Sequence, residues 1–162
     1  MPKFGEKASM IKLRRATKED LNALLTLNQK SLGYQDITFE QLENRFNKIN
    51  QLHDHRIIVA SVDEVIAGYI HIQDYDTLYM PTYIEILALC VVEEFQNDGI
   101  GTALIKYVEA FAFDKSVEFI RLGSSLKRNG AHCFYEKQGY YLEKTHKIFH
   151  KKIEDTTCCK EK

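Results

Sequence analysis

The chain of 162 residues contains no long apolar run and almost no net charge. None of its apolar stretches approaches the roughly 20 residues that a membrane-spanning helix needs, and its first residues lack the apolar centre of a signal peptide. A formal net charge of -1 creates no overall field that would attract nucleic acid or an anionic membrane surface. These absences predict a cytoplasmic protein that has neither nucleic acid nor a membrane as its partner.

Cysteine is also scarce, because the chain has only 4, and their spacing matches no zinc-binding pattern. Cys90 and Cys133 lie in apolar stretches, where we expect them to be small buried side chains. Cys158 and Cys159 lie in a polar terminal segment, where we expect free thiols. We therefore predict no metal site.

The chain has only 2 prolines and contains no internal repeat, no low-complexity block and no linker. Its length and its apolar fraction of 44% are typical of one globular domain with its own core. We predict that this domain covers residues 10–153. Residues 1–9 are predicted to form a loose arm and residues 154–162 a flexible tail.

Hydrophobic periodicity predicts an alternation of strands and helices. The predicted order is β-α-α-β-β-β-α-β-α-β-β, a mixed sheet flanked by helices. The run at 83–92 is apolar on both faces, which indicates a central strand. The predicted strands cover about 10–14, 56–62, 65–74, 83–92, 118–122, 140–142 and 147–151, and the predicted helices about 17–32, 38–51, 99–113 and 130–138.

Residues 96–102 join the apolar strand at 83–92 to the helix that follows it. The first N–H groups of a helix have no partner inside the helix, and the helix dipole is positive at that end. Gly99 and Gly101 carry no side chain that would keep an anion away from these groups. We therefore predict a site for a phosphorylated ligand. The segment lacks the lysine of a nucleotide-binding P-loop and the third glycine of a dinucleotide fingerprint.

Two blocks of sequence are informative because both occur, one after the other. The first, residues 89–91 followed by Gln-Asn-Asp-Gly-Ile-Gly at 96–101, is similar to the acetyl-CoA signature of the GNAT N-acetyltransferase family. Residues 131–140, Ala-His-Cys-Phe-Tyr-Glu-Lys-Gln-Gly-Tyr, resemble its AxxFYxxxGF block. The likeness covers roughly residues 10–151. It implies an α/β (α+β) fold: a mixed, mostly antiparallel sheet of about seven strands with a central splay between strands 83–92 and 118–122, flanked by four helices.

The resemblance implies acetyl-CoA as the cofactor and assigns residues to it. The backbone of Leu89, Cys90 and Val91 would pair with the pantetheine arm as an added strand does. Two departures stand out: Asp98 replaces a residue that is often basic, and Asn129 is displaced by one position from the asparagine of many members. The expected cofactor residues also include Asn129 and Tyr135. The segment that would hold the pyrophosphate consists of Gln96, Asn97, Asp98, Gly99, Ile100, Gly101 and Thr102.

Two catalytic residues are expected. Tyr135 matches the family's general acid, which would donate a proton to the leaving thiolate; the alternative is an aromatic core residue on an amphipathic helix. Glu85 is the candidate general base, because it lies on the strand that should line the acyl site. On a regular strand it would share a face with Leu87, Leu89 and Val91. The alternatives for Glu85 are a carboxylate paired with an arginine or lysine, or a water chain without any dedicated base.

The acceptor residues expected from the family's groove are Tyr34, Asp36 and Tyr83. Acidic and aromatic side chains suit a cationic amine, although a solvated polar loop is an equal alternative. The predicted function is direct transfer of an acetyl group from acetyl-CoA to a primary amine of a small molecule or peptide. The alternative is a non-catalytic acyl-CoA-binding sensor or interaction module. The terminal strands could pair across a homodimer.

Overall fold

The computed structural model describes residues 10–153, which belong to two compact units, residues 10–128 and residues 129–153. The predicted arm and tail, with Cys158 and Cys159, lie outside the described residues. No helix of the described part of the chain is long and apolar enough to span a bilayer.

The first unit is built on one sheet with the strand order β1-β2-β3-β4-β5. The first three pairings are antiparallel, and only β4 and β5 run parallel. The strands are β1 (Ile11–Arg15), β2 (His55–Val62), β3 (Val65–Tyr75), β4 (Tyr83–Val91) and β5 (Ile120–Leu122). The helices of this unit are α1 (Leu21–Lys30), α2 (Phe39–Asn50) and α3 (Ile100–Asp114).

Local sequence signals explain where these elements begin. Asp20, buried before α1, accepts hydrogen bonds from the Thr17 N–H at 2.8 Å and from both terminal nitrogens of Arg14 at 2.7 and 2.8 Å. Thr38 caps α2 by accepting from the N–H of Gln41 at 3.2 Å. These contacts fasten α1 to β1 and fix the start of α2.

The sheet separates two apolar layers. On one face, Val59, Tyr69 and Cys90 join a buried cluster with Leu21, Leu24, Leu27 and Phe46 of α1 and α2. Ile58 and Ile70 alternate with the first set and therefore point to the other face. There α3 contacts β3 and β4 and buries Ile100, Leu104, Ile105 and Val108.

A bulge interrupts β4 at Leu87. His71 pairs with Ala88 and Ile72 with Ile86, so Leu87 is an extra residue with no partner on β3. One extra residue shifts the alternation of side chains by one position. Glu85 therefore shares the α1–α2 face with Ala88 and Cys90, and the prediction that it shares a face with Leu87, Leu89 and Val91 is wrong.

The second unit contains α4 (Asn129–Lys137), followed by residues without regular secondary structure up to 153. The sheet of the described residues has five strands, so the prediction of about seven is not confirmed. The alternating pattern at 140–142 and 147–151 predicted strands, but a strand also needs a neighbour for its backbone groups. Among residues 10–153, these two segments pair with no strand. The predicted homodimer required strands there, because the terminal strands of two copies were expected to pair.

Candidate functional site

The segment that precedes α3 presents backbone N–H groups to open space. Gly99 has a φ of 82° and Asn97 a φ of 67°, so both adopt the left-handed conformation that turns the chain sharply into the helix. The first helical bond runs from the Ala103 N–H to the Gly99 carbonyl at 2.9 Å. The amides of Gly99, Ile100 and Gly101 precede that bond and have no acceptor inside the helix. A Cβ atom placed on Gly99 would meet no atom within 4 Å, so there is room here for an anion.

The acidic residue of this segment is exposed. The Asp98 side chain lines a groove of about 260 Å³ together with Ile11 and Val62, which belong to β1 and β2. Solvent screens an exposed carboxylate, which reduces its repulsion of a bound anion. Gln96 links the segment to the end of β4, because its Nε2 lies 3.4 Å from the Val91 carbonyl oxygen.

The pairing between β4 and β5, where a splay is predicted, is short. The short β5 pairs with β4 only at Ile84, Glu85 and Ile86. The Val92 N–H donates to the Ala67 carbonyl of the β3 side at 2.8 Å. By alternation the Cys90 amide also faces β3, and the main-chain groups of Leu89 and Val91 face the side where β5 has ended. Within residues 10–128, no strand pairs with them on that side, and an extended ligand with amide groups could do so.

Cys90 itself does not contribute a reactive side chain. The residue is 7% exposed, and burial raises the pKa of its thiol to about 12. The neighbouring Tyr69 hydroxyl donates to Asn28 Oδ1 at 2.8 Å, and burial raises the pKa of that phenol as well. At neutral pH a covalent intermediate on the Cys90 thiolate is therefore disfavoured.

Glu85 is paired with an arginine. Arg121 Nε lies 2.8 Å from Glu85 Oε2, and the Glu85 side chain is 17% exposed. The Arg121 guanidinium also lies over the ring of Tyr83, 4.5 Å from its centroid. The Glu85 carboxylate is therefore paired with an arginine, as the alternative to the general-base role predicts. Tyr83 is 1% exposed and stacks between Tyr75 and Phe119, so the structure places this expected acceptor residue inside an aromatic stack.

A cleft of about 570 Å³ opens on the α1–α2 face of the sheet. Its walls are the segment between α1 and α2, helix α2 and the strands β2 and β3. Two of the expected acceptor residues, Tyr34 and Asp36, line it, as does Arg45 of α2. Neither Asp36 nor Arg45 forms an ion pair or hydrogen bond with another residue of the described range. The cleft therefore offers one free negative and one free positive charge to a ligand.

One member of a histidine pair, which the sequence did not reveal, lines the cleft. His71 lines the cleft, and its Nε2 lies 2.9 Å from His55 Nδ1. Burial, and after it the charge of His55, lowers the pKa of His71 to about 4. The available signal was the alternation of Tyr69, His71 and Gln73, three polar side chains on one face of a strand that is apolar from Val65 to Ile72 on the other.

In the second unit, Tyr135 lies on α4. Its ring packs edge-on against Phe134 and Tyr140, with centroid distances of 5.3 and 5.8 Å. Asn129 is the first residue of this helix, and Gly139, with a φ of 91°, follows its end as expected. In the described part of the chain, no group of three His, Cys, Asp or Glu side chains could hold a metal ion.

Comparison with known proteins gives a consistent answer. The sequence model of the acetyltransferase (GNAT) family matches residues 20–140. The aminoalkylphosphonate N-acetyltransferase of Salmonella typhimurium is 27% identical over 131 residues, which cover 79% of this chain and 83% of the relative.

Solved structures share the fold. The aminoglycoside N-acetyltransferase AAC(6')-Iy in complex with CoA superimposes with a TM-score of 0.78 at 16% identity, covering 92% of this chain and 99% of the other. The glucosamine-6-phosphate N-acetyltransferase of Arabidopsis thaliana gives a TM-score of 0.74 at 18% identity, covering 87% and 98%.

Proposed function

Because the chain belongs to the acetyltransferase (GNAT) family, we propose that it transfers an acetyl group from acetyl-CoA directly to a primary amine of a small molecule. This proposal rests on one observation: the open edge of β4 is followed, within ten residues of the chain, by the N-terminus of α3. The main-chain groups of Leu89 and Val91 face an open strand edge, and ten residues later the amides of Gly99 and Ile100 open a helix. Coenzyme A has amides in its pantetheine arm next to a diphosphate. The amides could pair with the strand edge, and the diphosphate could accept hydrogen bonds from the N–H groups of the helix.

Acetyl-CoA supplies an electrophilic thioester, and the chain supplies its positioning. We assign the diphosphate to the segment 96–102, whose backbone N–H groups at the α3 N-terminus favour negative charge. The open edge of β4 would hold the amides of the pantetheine arm. We assign the role of general acid to Tyr135, whose phenol can donate a proton from Oη to a leaving group. Asn129 is proposed as a further contact to the cofactor.

We place the acceptor in the cleft that Tyr34, Asp36 and Arg45 line. Asp36 would attract the ammonium form of the acceptor, and the aromatic face of Tyr34 also favours a cation. Arg45 would bind an anionic group through its planar fork of donors. The Salmonella relative is named for aminoalkylphosphonates, which carry both an amine and an anionic group. We therefore propose that the acceptor is a small amine that also bears a phosphonate, phosphate or carboxylate.

The test is a panel of amines with acetyl-CoA as donor and thiol release as the signal. Aminoethylphosphonate should be acetylated with a higher kcat/KM than ethanolamine, which lacks the anionic group. Replacing Arg45 by Met should lower kcat/KM for aminoethylphosphonate at least about tenfold, about 1.4 kcal/mol, with little effect on ethanolamine. The matched control is Lys48→Met, an exposed cation on α2 that does not line the cleft.

Other results would change the proposal. Equal use of both amines, with no effect of Arg45→Met, would contradict the anionic acceptor and leave the acetyltransferase intact. If CoA binds but no amine in the panel supports thiol release, the acetyltransferase proposal fails and a non-catalytic acyl-CoA-binding module takes its place.

A further inference from the structure

We propose that His71 and His55 form a proton relay, which accepts the proton of the acceptor amine in the cleft and passes it towards Asp54; this inference rests on the proposed function. The acceptor's alkyl ammonium has a pKa near that of lysine, roughly 10, so it is protonated at neutral pH and cannot attack until a proton leaves. Glu85 is held by Arg121 and is poorly suited to accept that proton.

The geometry of the pair supplies the path. His71 lines the cleft, and its Nε2 is engaged by His55 Nδ1 at 2.9 Å. Its other nitrogen, Nδ1, has no hydrogen-bond partner among residues 10–153, so this is the atom left for a ligand. On the far side, His55 Nε2 lies 3.9 Å from Asp54 Oδ2, a separation that a water molecule can bridge.

The end of the relay is anionic and exposed. The side chain of Asp54 is 44% exposed, and Gln73 Nε2 donates to its Oδ2 at 3.1 Å. This hydrogen bond is the main cause that lowers the pKa of Asp54, and it keeps the carboxylate charged. A proton arriving from His55 is therefore attracted to the surface and exchanges there with solvent.

One proton moves from the acceptor ammonium through both imidazole rings. An N–H bond of the ammonium breaks and an N–H bond forms at His71 Nδ1. The Nε2–H bond of His71 breaks as its proton moves to His55 Nδ1, and the Nε2 proton of His55 leaves towards Asp54 or water. One proton has moved, both rings are neutral, and the amine has its lone pair. After product departure, exchange with water in the open cleft restores the starting tautomers.

The environment of His71 favours passing a proton on over keeping it. Because burial lowers its pKa to about 4, the ring is neutral in almost every molecule at neutral pH and can accept a proton. The same low pKa means that the proton does not remain, and His55 is the group placed to remove it. The other titratable or charged side chains that line the cleft are Tyr34, Asp36, Arg45 and Tyr69, and none of them forms a hydrogen bond with His71. On the same face of the sheet, Cys90 is buried and Glu85 is bonded to Arg121.

The kinetic test replaces each histidine by glutamine, which can keep a hydrogen bond but cannot relay a proton. His71→Gln should lower the single-turnover rate of acetyl transfer about a hundredfold or more, with the KM of the amine and the affinity for CoA changed less than about threefold. His55→Gln should lower the same rate at least about tenfold. The matched control, His53→Gln, replaces an exposed histidine outside the cleft and should leave the rate unchanged.

A second measurement does not depend on turnover. In ¹⁵N-histidine-labelled protein, NMR should show His71 protonated at Nε2 with an unprotonated Nδ1, and His55 protonated at Nε2. A proton resident on His71 Nδ1 would overturn the relay, because that atom could not then accept one. Wild-type activity that survives His71→Gln would overturn only the relay, whereas a wild-type protein that acetylates no amine would overturn the proposed function and the relay together.

Discussion

Arg121 Nε donates to Glu85 Oε2 over 2.8 Å, at the middle of the three residue pairs that hold β4 and β5 together. Beyond this pairing β4 bulges at Leu87 and β5 ends at Leu122. The ion pair therefore lies where the unpaired edge of β4 begins. Its cation also covers the ring of Tyr83, so the carboxylate is part of a packed joint between the strands.

Replacing Glu85 by Gln should destabilise this joint. The change leaves the half-buried Arg121 without its counter-charge, and we expect the free energy of unfolding to fall by about 1–2 kcal/mol in urea titrations. The turnover of enzyme that remains folded should change less than about threefold. As a control, Glu64→Gln removes an exposed ion pair with Lys12 and should have almost no effect. A large loss of kcat with unchanged stability would instead identify Glu85 as the general base.

Replacing Tyr135 by Phe removes only the phenolic proton. We expect acetyl transfer to fall at least about tenfold, because a general acid contributes about that much or more, while the affinity for CoA changes little. Steady-state kinetics and calorimetric titration with CoA measure the two effects separately. Tyr141→Phe, six residues further along, is the control and should behave as wild type. Unchanged turnover in the Tyr135→Phe variant would remove this residue from the mechanism.

Replacing Gly99 by Ala should affect both stability and binding. At a φ of 82° an alanine costs about 1 kcal/mol or more, and its Cβ would occupy the open space in front of the amides. We expect a matching loss of unfolding free energy and at least about threefold weaker CoA binding, about 0.6 kcal/mol. Gly123→Ala is the control, since its φ lies outside the left-handed range and no atom lies within 4 Å of a Cβ there. Equal CoA affinities for the two variants would contradict the assignment.

The depressed pKa of His71 predicts a specific pH dependence of stability. The folded value of about 4 lies below the ordinary 6.5, so between these pH values the unfolded chain binds a proton that the folded chain does not. The free energy of unfolding should therefore decrease as pH falls from 6.5 to 4, by up to about 3 kcal/mol, with no contribution above 6.5. His71→Gln should lose correspondingly less over this range, and His53→Gln should match wild type. Identical slopes for all three proteins would refute the low pKa.

Periodicity located most elements of the first unit to within a few residues, because long apolar patterns report burial directly. The predictions of a strand at 83–92 and of a helix after Gly99 are confirmed, and the anion site at their junction stays a prediction. The register between strands cannot be predicted from the apolar pattern of one strand. The bulge at Leu87 depends on how β4 pairs with β3, and because of it Glu85 lies on the face opposite to the one expected.

Contacts between distant residues were equally hidden. His55 and His71 are 16 positions apart and meet only through the register of the β2–β3 hairpin. The same reason applies to the segments 140–142 and 147–151, whose alternation favours strands without supplying a partner. The prediction that Tyr135 is the general acid comes from the family resemblance and stays a prediction, because periodicity alone favours an aromatic core residue.

The central claim is that main-chain nitrogens at the junction of β4 and α3 hold the diphosphate of CoA. Its most direct test is a titration of ¹⁵N-labelled protein with CoA, followed by amide NMR. We expect saturable shifts that are largest at the amides of Gly99, Ile100 and Gly101, with smaller shifts at Leu89 and Val91. Saturation that leaves these amides unmoved, or no saturation at all, would contradict it.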